Sequence, residues 1–123
     1  MAVRRFVVPV TTDGSGAAEV YSPKISGKVV SIRYLKTDFT DGVDFVITAE
    51  TSGQTIWSET NVNASATRHP RTGTASTAGV ASLYAGSGTA VNAKIPLADD
   101  RVKIVIASGG AAKLGDFHIT VDA

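Results

Sequence analysis

The chain has 123 residues, one domain's length, of which 43% are apolar and 19% charged. Twelve basic against eleven acidic residues leave a net charge of +1, which argues against nucleic acid or an anionic membrane as the main partner. The absence of cysteine removes disulfide frameworks, thiol catalysis and Cys-based zinc sites.

Residues 3–12 read as the first strand. Phe6, Val8 and Val10 share one face, Arg5, Val7 and Pro9 the other, and Pro9, which cannot donate to a ladder, marks an edge strand. This start, MAVRRFVVPVTTDG, has too short an apolar run for a signal peptide. Asp13-Gly14-Ser15-Gly16 is a turn, residues 17–21 a short strand, and Ser22-Pro23 its stop.

Residues 27–36 form a stronger strand, with Val30, Ile32 and Tyr34 alternating with Ser31, Arg33 and Leu35. A turn over Phe39-Thr40-Asp41-Gly42 leads to residues 43–50, where Phe45, Ile47 and Ala49 share a face. Thr51-Ser52-Gly53 turns the chain into residues 54–60, with Ile56 and Trp57. These connections are hairpin-sized, so the run is antiparallel.

From residue 61 the periodicity fades. Arg68-His69-Pro70-Arg71 reads as extended, because the residue before proline avoids the helical region. The segment Val80-Ala81-Ser82-Leu83-Tyr84 fits either one helical turn or a short strand, and Gly86-Ser87-Gly88 breaks it. Residues 91–97 carry Val91 and Ile95. Residues 100–108 place Val102, Ile104 and Ile106 on one face, and Val105 makes the other partly apolar. Residues 114–122 close the chain with Phe117, Ile119 and Val121 inward.

About eight strands without an amphipathic helix predict an all-β, antiparallel β-sandwich, jelly-roll-like, as a single domain over residues 1–123. The expected interior holds Val30, Ile32, Phe45, Ile47, Val102, Ile104, Phe117 and Ile119. Residues 61–96 form a long polar arm, rich in Ala, Thr, Ser, Gly and Asn. Fixing its backbone costs about 1–2 kcal/mol per residue. Its small side chains bury too little apolar area, at about 25 cal/mol per Å², to offset that within a monomer. The arm must then stay mobile, pack flat on the sandwich through hydrogen bonds, or become ordered against a partner; the third is favoured, with Arg68, His69, Arg71, Leu83 and Tyr84 as anchors, since Arg and Tyr concentrate interface energy.

No residue set assembles a catalytic, cofactor or metal site. Asp38, Asp41 and Asp44 crowd one turn, but their spacing is not that of an EF-hand, and turn chemistry explains them. Asp99 and Asp100 read the same way. His69 and His118 lie far apart, and His118 falls on the polar phase of a strand. Ser15 and Ser87 sit in GSG contexts that match neither a nucleophile elbow nor a phosphate loop. Asn63-Ala64-Ser65 fits the glycosylation pattern with no secretion signal beside it. Trp57 reads as a core or sheet-face anchor. Four Phe, three Tyr and one Trp are few for a sugar-binding face.

The stretches DFTDGVDFVITAETSGQTIWSETNVNAS, LYAGSGTAVNAKIPLADDRVKIVIASGG and GDFHITV resemble small proteins encoded among the head and structural genes of tailed bacteriophages. The resemblance spans roughly residues 25–121. It implies a non-enzymatic virion protein, assembled in the bacterial host cytoplasm, that decorates or cements the capsid or completes the head. Its expected partners are the major capsid protein or other virion proteins and further copies of itself. The competing reading is a virion- or tail-associated module that binds the host or a glycan.

Overall fold

The computed structural model describes residues 2–86 and 88–122. Ten strands follow one another: β1 (Val3–Thr11), β2 (Ala18–Tyr21), β3 (Ile25–Lys36), β4 (Val43–Ala49), β5 (Thr55–Val62), β6 (Ala66–Arg68), β7 (Arg71–Gly73), β8 (Asn92–Asp100), β9 (Val102–Ala107) and β10 (Leu114–Asp122). Among the described residues, a 3₁₀ turn covers Tyr84–Gly86, with Ala85 in the left-handed region at φ 56°. The eight expected strands are all present; β6 and β7 are additional, and both lie in the stretch whose composition hides any alternation.

The strands form two antiparallel sheets. The first runs β1-β10-β3-β8-β7, with β6 also paired to β3; the second runs β2-β9-β4-β5. The pairs β1:β10, β2:β9, β3:β8 and β4:β5 are nested, as in one long hairpin wrapped upon itself. Cross-pairs β10:β3 and β4:β9 close the wrap. This is a jelly roll. The excursion between β5 and β8 is the only long connection among the described residues.

The core lies between the sheets. Phe45, Ile47, Val102, Ile104 and Ile106 of the second sheet meet Val8, Val10, Ile32, Tyr34, Phe117, Ile119 and Val121 of the first, all buried. Each fully buried side chain of this size contributes about 1.5–3 kcal/mol. The aromatics contact one another: Phe45 meets Trp57 and Phe117 edge-on with centroids 4.7 and 5.1 Å apart, and Tyr34 stacks on Phe117 at 5.3 Å.

Val30 departs from the expected interior. The register between β10 and β3 runs Thr120↔Ser31 and then Val121↔Val29, so Val30 is the extra residue of a β-bulge. One inserted residue switches which face later side chains take. Ile25 and Val29 face inward before it and Ile32 and Tyr34 after it, while Val30 is half-buried.

Phe39, expected in a turn, is fully buried. Its ring lies over Gly115, where an added Cβ would come within 2.6 Å of Phe39 Cε2.

Candidate functional site

The segment 61–96 divides into three parts. Its last residues belong to β8, where Ile95 is buried. Near its start, β6 joins the first sheet through Ala66↔Tyr34 and Arg68↔Ile32. Between them the chain leaves the sandwich and builds a tongue upon itself.

Backbone hydrogen bonds define that tongue. β7 pairs with β8 through Arg71↔Lys94, Thr72↔Ala93 and Gly73↔Asn92. Thr74 N still donates to Val91 O at 2.8 Å; beyond Thr74 the two strands part and residues 80–84 enter between them. Ser82 N donates to Thr74 O, Val91 N to Ser82 O, and Tyr84 N to Thr89 O, each at 2.9 Å. Single bridges join Ala75 to Ala81 and Leu83 to Ala90. Ser76 closes the tip: its Oγ accepts from Ala78 N and Val80 N, and its backbone N–H donates to Val80 O. The helical alternative for Val80–Tyr84 is thus replaced by bridged extended chain ending in the 3₁₀ turn. The turn residue Ser87 lies outside the described residues.

Hydrogen bonds hold the tongue, with little apolar burial. Among the described residues, no side chain between Val62 and Ile95 belongs to the buried core, and only Ala66 packs against it. Val80 and Tyr84 are 66% and 60% exposed, and Leu83 is 36% exposed. Three large apolar side chains therefore stand on a small hydrogen-bonded platform outside the sandwich.

The base of the tongue is anchored by the two arginines. Arg68 donates from Nε and Nη2 to the two carboxylate oxygens of Glu59, both at 3.0 Å. Its guanidinium carbon lies 5.6 Å from the Trp57 ring centroid, and Trp57 Nε1 donates to the same carboxylate at 3.0 Å. Glu59 is on β5, the edge of the second sheet, and Arg68 on β6 of the first, so the contact ties the two sheets together. Arg68 first, and Trp57 second, hold the Glu59 carboxyl below its ordinary value.

Arg71 closes a gap. β3 pairs with β8 as far as Val29 and with β6 from Ile32, which leaves Val30 between neighbours. Arg71 Nη1 donates to Val30 O at 3.0 Å and to Pro70 O at 2.8 Å. The bulge residue thus finds its acceptor bond in a side chain at the tongue's root.

Of the five expected anchors, the structure gives Arg68 and Arg71 intramolecular partners, leaves His69 exposed beside them, and carries Leu83 and Tyr84 outward on the tongue. Val80 completes the apolar set. Sequence reasoning did not include it because alternation across a three-segment platform has no linear signature.

The other candidates take separate structural roles. Asp38 Oδ1 accepts from Leu114 N, Asp41 pairs with Lys36, and Asp44 Oδ1 accepts from Asn61 N at 2.8 Å. Among the described residues, no three acidic or histidine side chains gather in a metal-binding group. Asp100 accepts from Thr51 N and Arg101 N, and Lys24 pairs with Asp99. Ser15 bonds to Asp13 within the first turn. Asn63 Oδ1 accepts from Gly42 N at 2.7 Å, and Ser65 Oγ from Lys36 N at 2.9 Å, which fastens residues 63–65 to the β3–β4 connection. His118 lies half-buried on the outer face of β10, opposite Val7 and Arg33. Trp57 is buried at the edge of the core.

No protein-family model, curated protein or solved structure matches this chain.

Proposed function

We infer that this chain is a structural protein of a tailed-phage virion, a capsid decoration, cement or head-accessory protein that works through contacts and performs no catalysis. The observation that carries this reading is the tongue. It is ordered by its own backbone bonds and presents Val80, Leu83 and Tyr84 to solvent. Exposed apolar side chains grouped on a polar support are a contact feature. A repeating lattice multiplies a modest contact of this kind by symmetry. The sequence resemblance to phage head proteins supplies the partner: the major capsid protein or a neighbouring virion protein.

The test replaces Val80, Leu83 and Tyr84 together by serine. Circular dichroism should report an intact β body, because none of the three belongs to the buried core. Co-sedimentation with phage particles should fall at least about tenfold, the loss of roughly 1.4 kcal/mol per contact site. Undiminished particle binding would remove the tongue from the account. Binding of the isolated protein to host cells or glycans, without binding to particles, would favour the host-recognition reading instead.

A further inference from the structure

The longest regular edge of the molecule is β1. It runs nine residues with unbroken register against β10. The other edges are less regular: β5 has two register shifts, and β2, β6 and β7 have only three or four residues.

The direction of the backbone groups on β1 follows from two residues. Thr12 N donates to Lys113 O, so the even-numbered positions of this segment turn toward β10 and the odd-numbered ones away. Pro9, which has no N–H, falls in the outward set, where it breaks no ladder bond. Val3, Arg5, Val7 and Thr11 therefore point both an N–H and a C=O past the edge, and Pro9 its carbonyl alone. Val3 and Val7 are also 68% and 52% exposed. Such a strand is a template for another strand.

We propose that the occupant is a second copy of this chain, with β1 pairing antiparallel to β1 about a two-fold axis at Val7. Backbone geometry and charge select this register. Outward residues must face outward residues, which limits the choices. Centring on Val7 overlaps the whole of Val3–Thr11, with Val3 opposite Thr11 and Arg5 opposite Pro9, and each Arg5–Pro9 pair keeps one backbone bond, from Arg5 N–H to Pro9 O. In the row beyond Pro9 lies Asp116, since Pro9 pairs with Asp116 across β1:β10. Each Arg5 then points along a row toward the second copy's Asp116, two strand spacings or about 10 Å away. Among the described residues neither Arg5 nor Asp116 has an ion-pair partner within its own chain. Centring on Arg5 would set two arginines opposite each other, a destabilising pair. Centring on Phe6 would move Arg5 to the row of Val7 and His118 and forfeit the charge match. The Val7 register makes one continuous sheet from the two first sheets.

The chain has no cysteine, so single-cysteine crosslinking reads the register directly. Val7→Cys faces its own copy at about 5.5 Å between Cα atoms, within disulfide range. Arg5→Cys is offset from its own copy by four residues, about 13 Å, and is out of range. Under mild oxidation the first variant should crosslink to a covalent dimer and the second should not. Sedimentation equilibrium should give twice the 12.7 kDa chain mass. Val7→Pro removes only an outward N–H, so it should yield a monomer with an unchanged circular dichroism spectrum. Arg5→Asp and Asp116→Arg should each weaken the dimer at least about tenfold, and their combination should restore it. A native protein that stays at chain mass overturns the proposal, as does equal crosslinking at both positions or a double variant no stronger than the singles. A monomer whose particle binding is abolished by Val7→Pro would assign the edge to a different protein and equally overturn it.

Discussion

Glu59 and Arg68 face each other across one edge of the sandwich, joined by two parallel 3.0 Å hydrogen bonds. Trp57 lies beneath the guanidinium and donates to the same carboxylate. The three residues come from the edge of one sheet and the short strand at the start of the excursion. They fix where the chain leaves the body.

The latch has a measurable strength. Both side chains keep substantial solvent contact, 45% for Arg68 and 34% for Glu59, so the pair contributes no more than a well-formed surface bridge. A double-mutant cycle with Arg68→Ala and Glu59→Ala should give a coupling of about 0.5–1 kcal/mol. Trp57 fluorescence should shift in the Arg68→Ala variant, because the cation leaves the ring. A coupling near zero with an unchanged emission spectrum would show that the latch is open in solution.

Acid should weaken the fold through its hydrogen-bonded carboxylates, Glu59 and Asp100 among them. Arg68, then Trp57, lowers the Glu59 carboxyl from its ordinary value of 4.5, and the Thr51 backbone N–H chiefly lowers that of Asp100 from 3.8. A carboxyl with a depressed value in the folded state binds protons more tightly when unfolded. Its contribution is therefore full above the ordinary value and disappears as pH falls through the folded one. Denaturation midpoints should drop below pH 4.5, and Glu59→Gln should flatten part of that drop. Equal acid sensitivity in both proteins would contradict the assignment to Glu59.

Tyr34 carries its hydroxyl into the core. The oxygen is buried without a hydrogen-bond partner among the described residues. Burial first, and the Asp41 charge second, push its ionisation up to about 12. Tyr34→Phe should raise stability by about 1 kcal/mol, the cost of an unsatisfied buried group. The raised value also fixes a sign at alkaline pH: the unfolded chain loses this proton near 10, the folded one near 12. Native stability should therefore fall across that window, and the phenylalanine variant should fall less. A destabilised variant would mean that the hydroxyl is bonded.

Gly115 and Phe39 form a socket. A Cβ at position 115 would meet three atoms of the Phe39 ring at 2.6–3.0 Å. Because the ring is fully buried against the core, it cannot swing clear. Gly115→Ala should cost about 1–3 kcal/mol, as overpacking does, and the double variant Gly115→Ala with Phe39→Leu should recover part of it. A neutral single substitution would show that the ring has room.

The sandwich was legible because its strands alternate. Phe45, Ile47, Val102, Ile104, Phe117 and Ile119 stand where period-2 patterning puts them. Val30 does not, because a bulge is one unpaired residue and leaves no mark on the pattern of its own strand. Phe39 escaped for a related reason: a single aromatic in a turn has no period, and its socket, Gly115, lies on another strand. In the arm, the polar composition was legible and the hydrogen-bonded tongue was not. Backbone pairing among Ala, Ser, Thr and Gly needs no side-chain signature. The latch needed a partner for Arg68 nine residues earlier in the chain, which spacing alone does not select.

Cryo-electron microscopy of the virion that carries this protein tests the central claim most directly. The account predicts jelly-roll density on the particle surface, with Val80, Leu83 and Tyr84 of the tongue in contact with a neighbouring virion protein. A tongue pointing into solvent on every copy, or a particle that lacks the protein altogether, would contradict it.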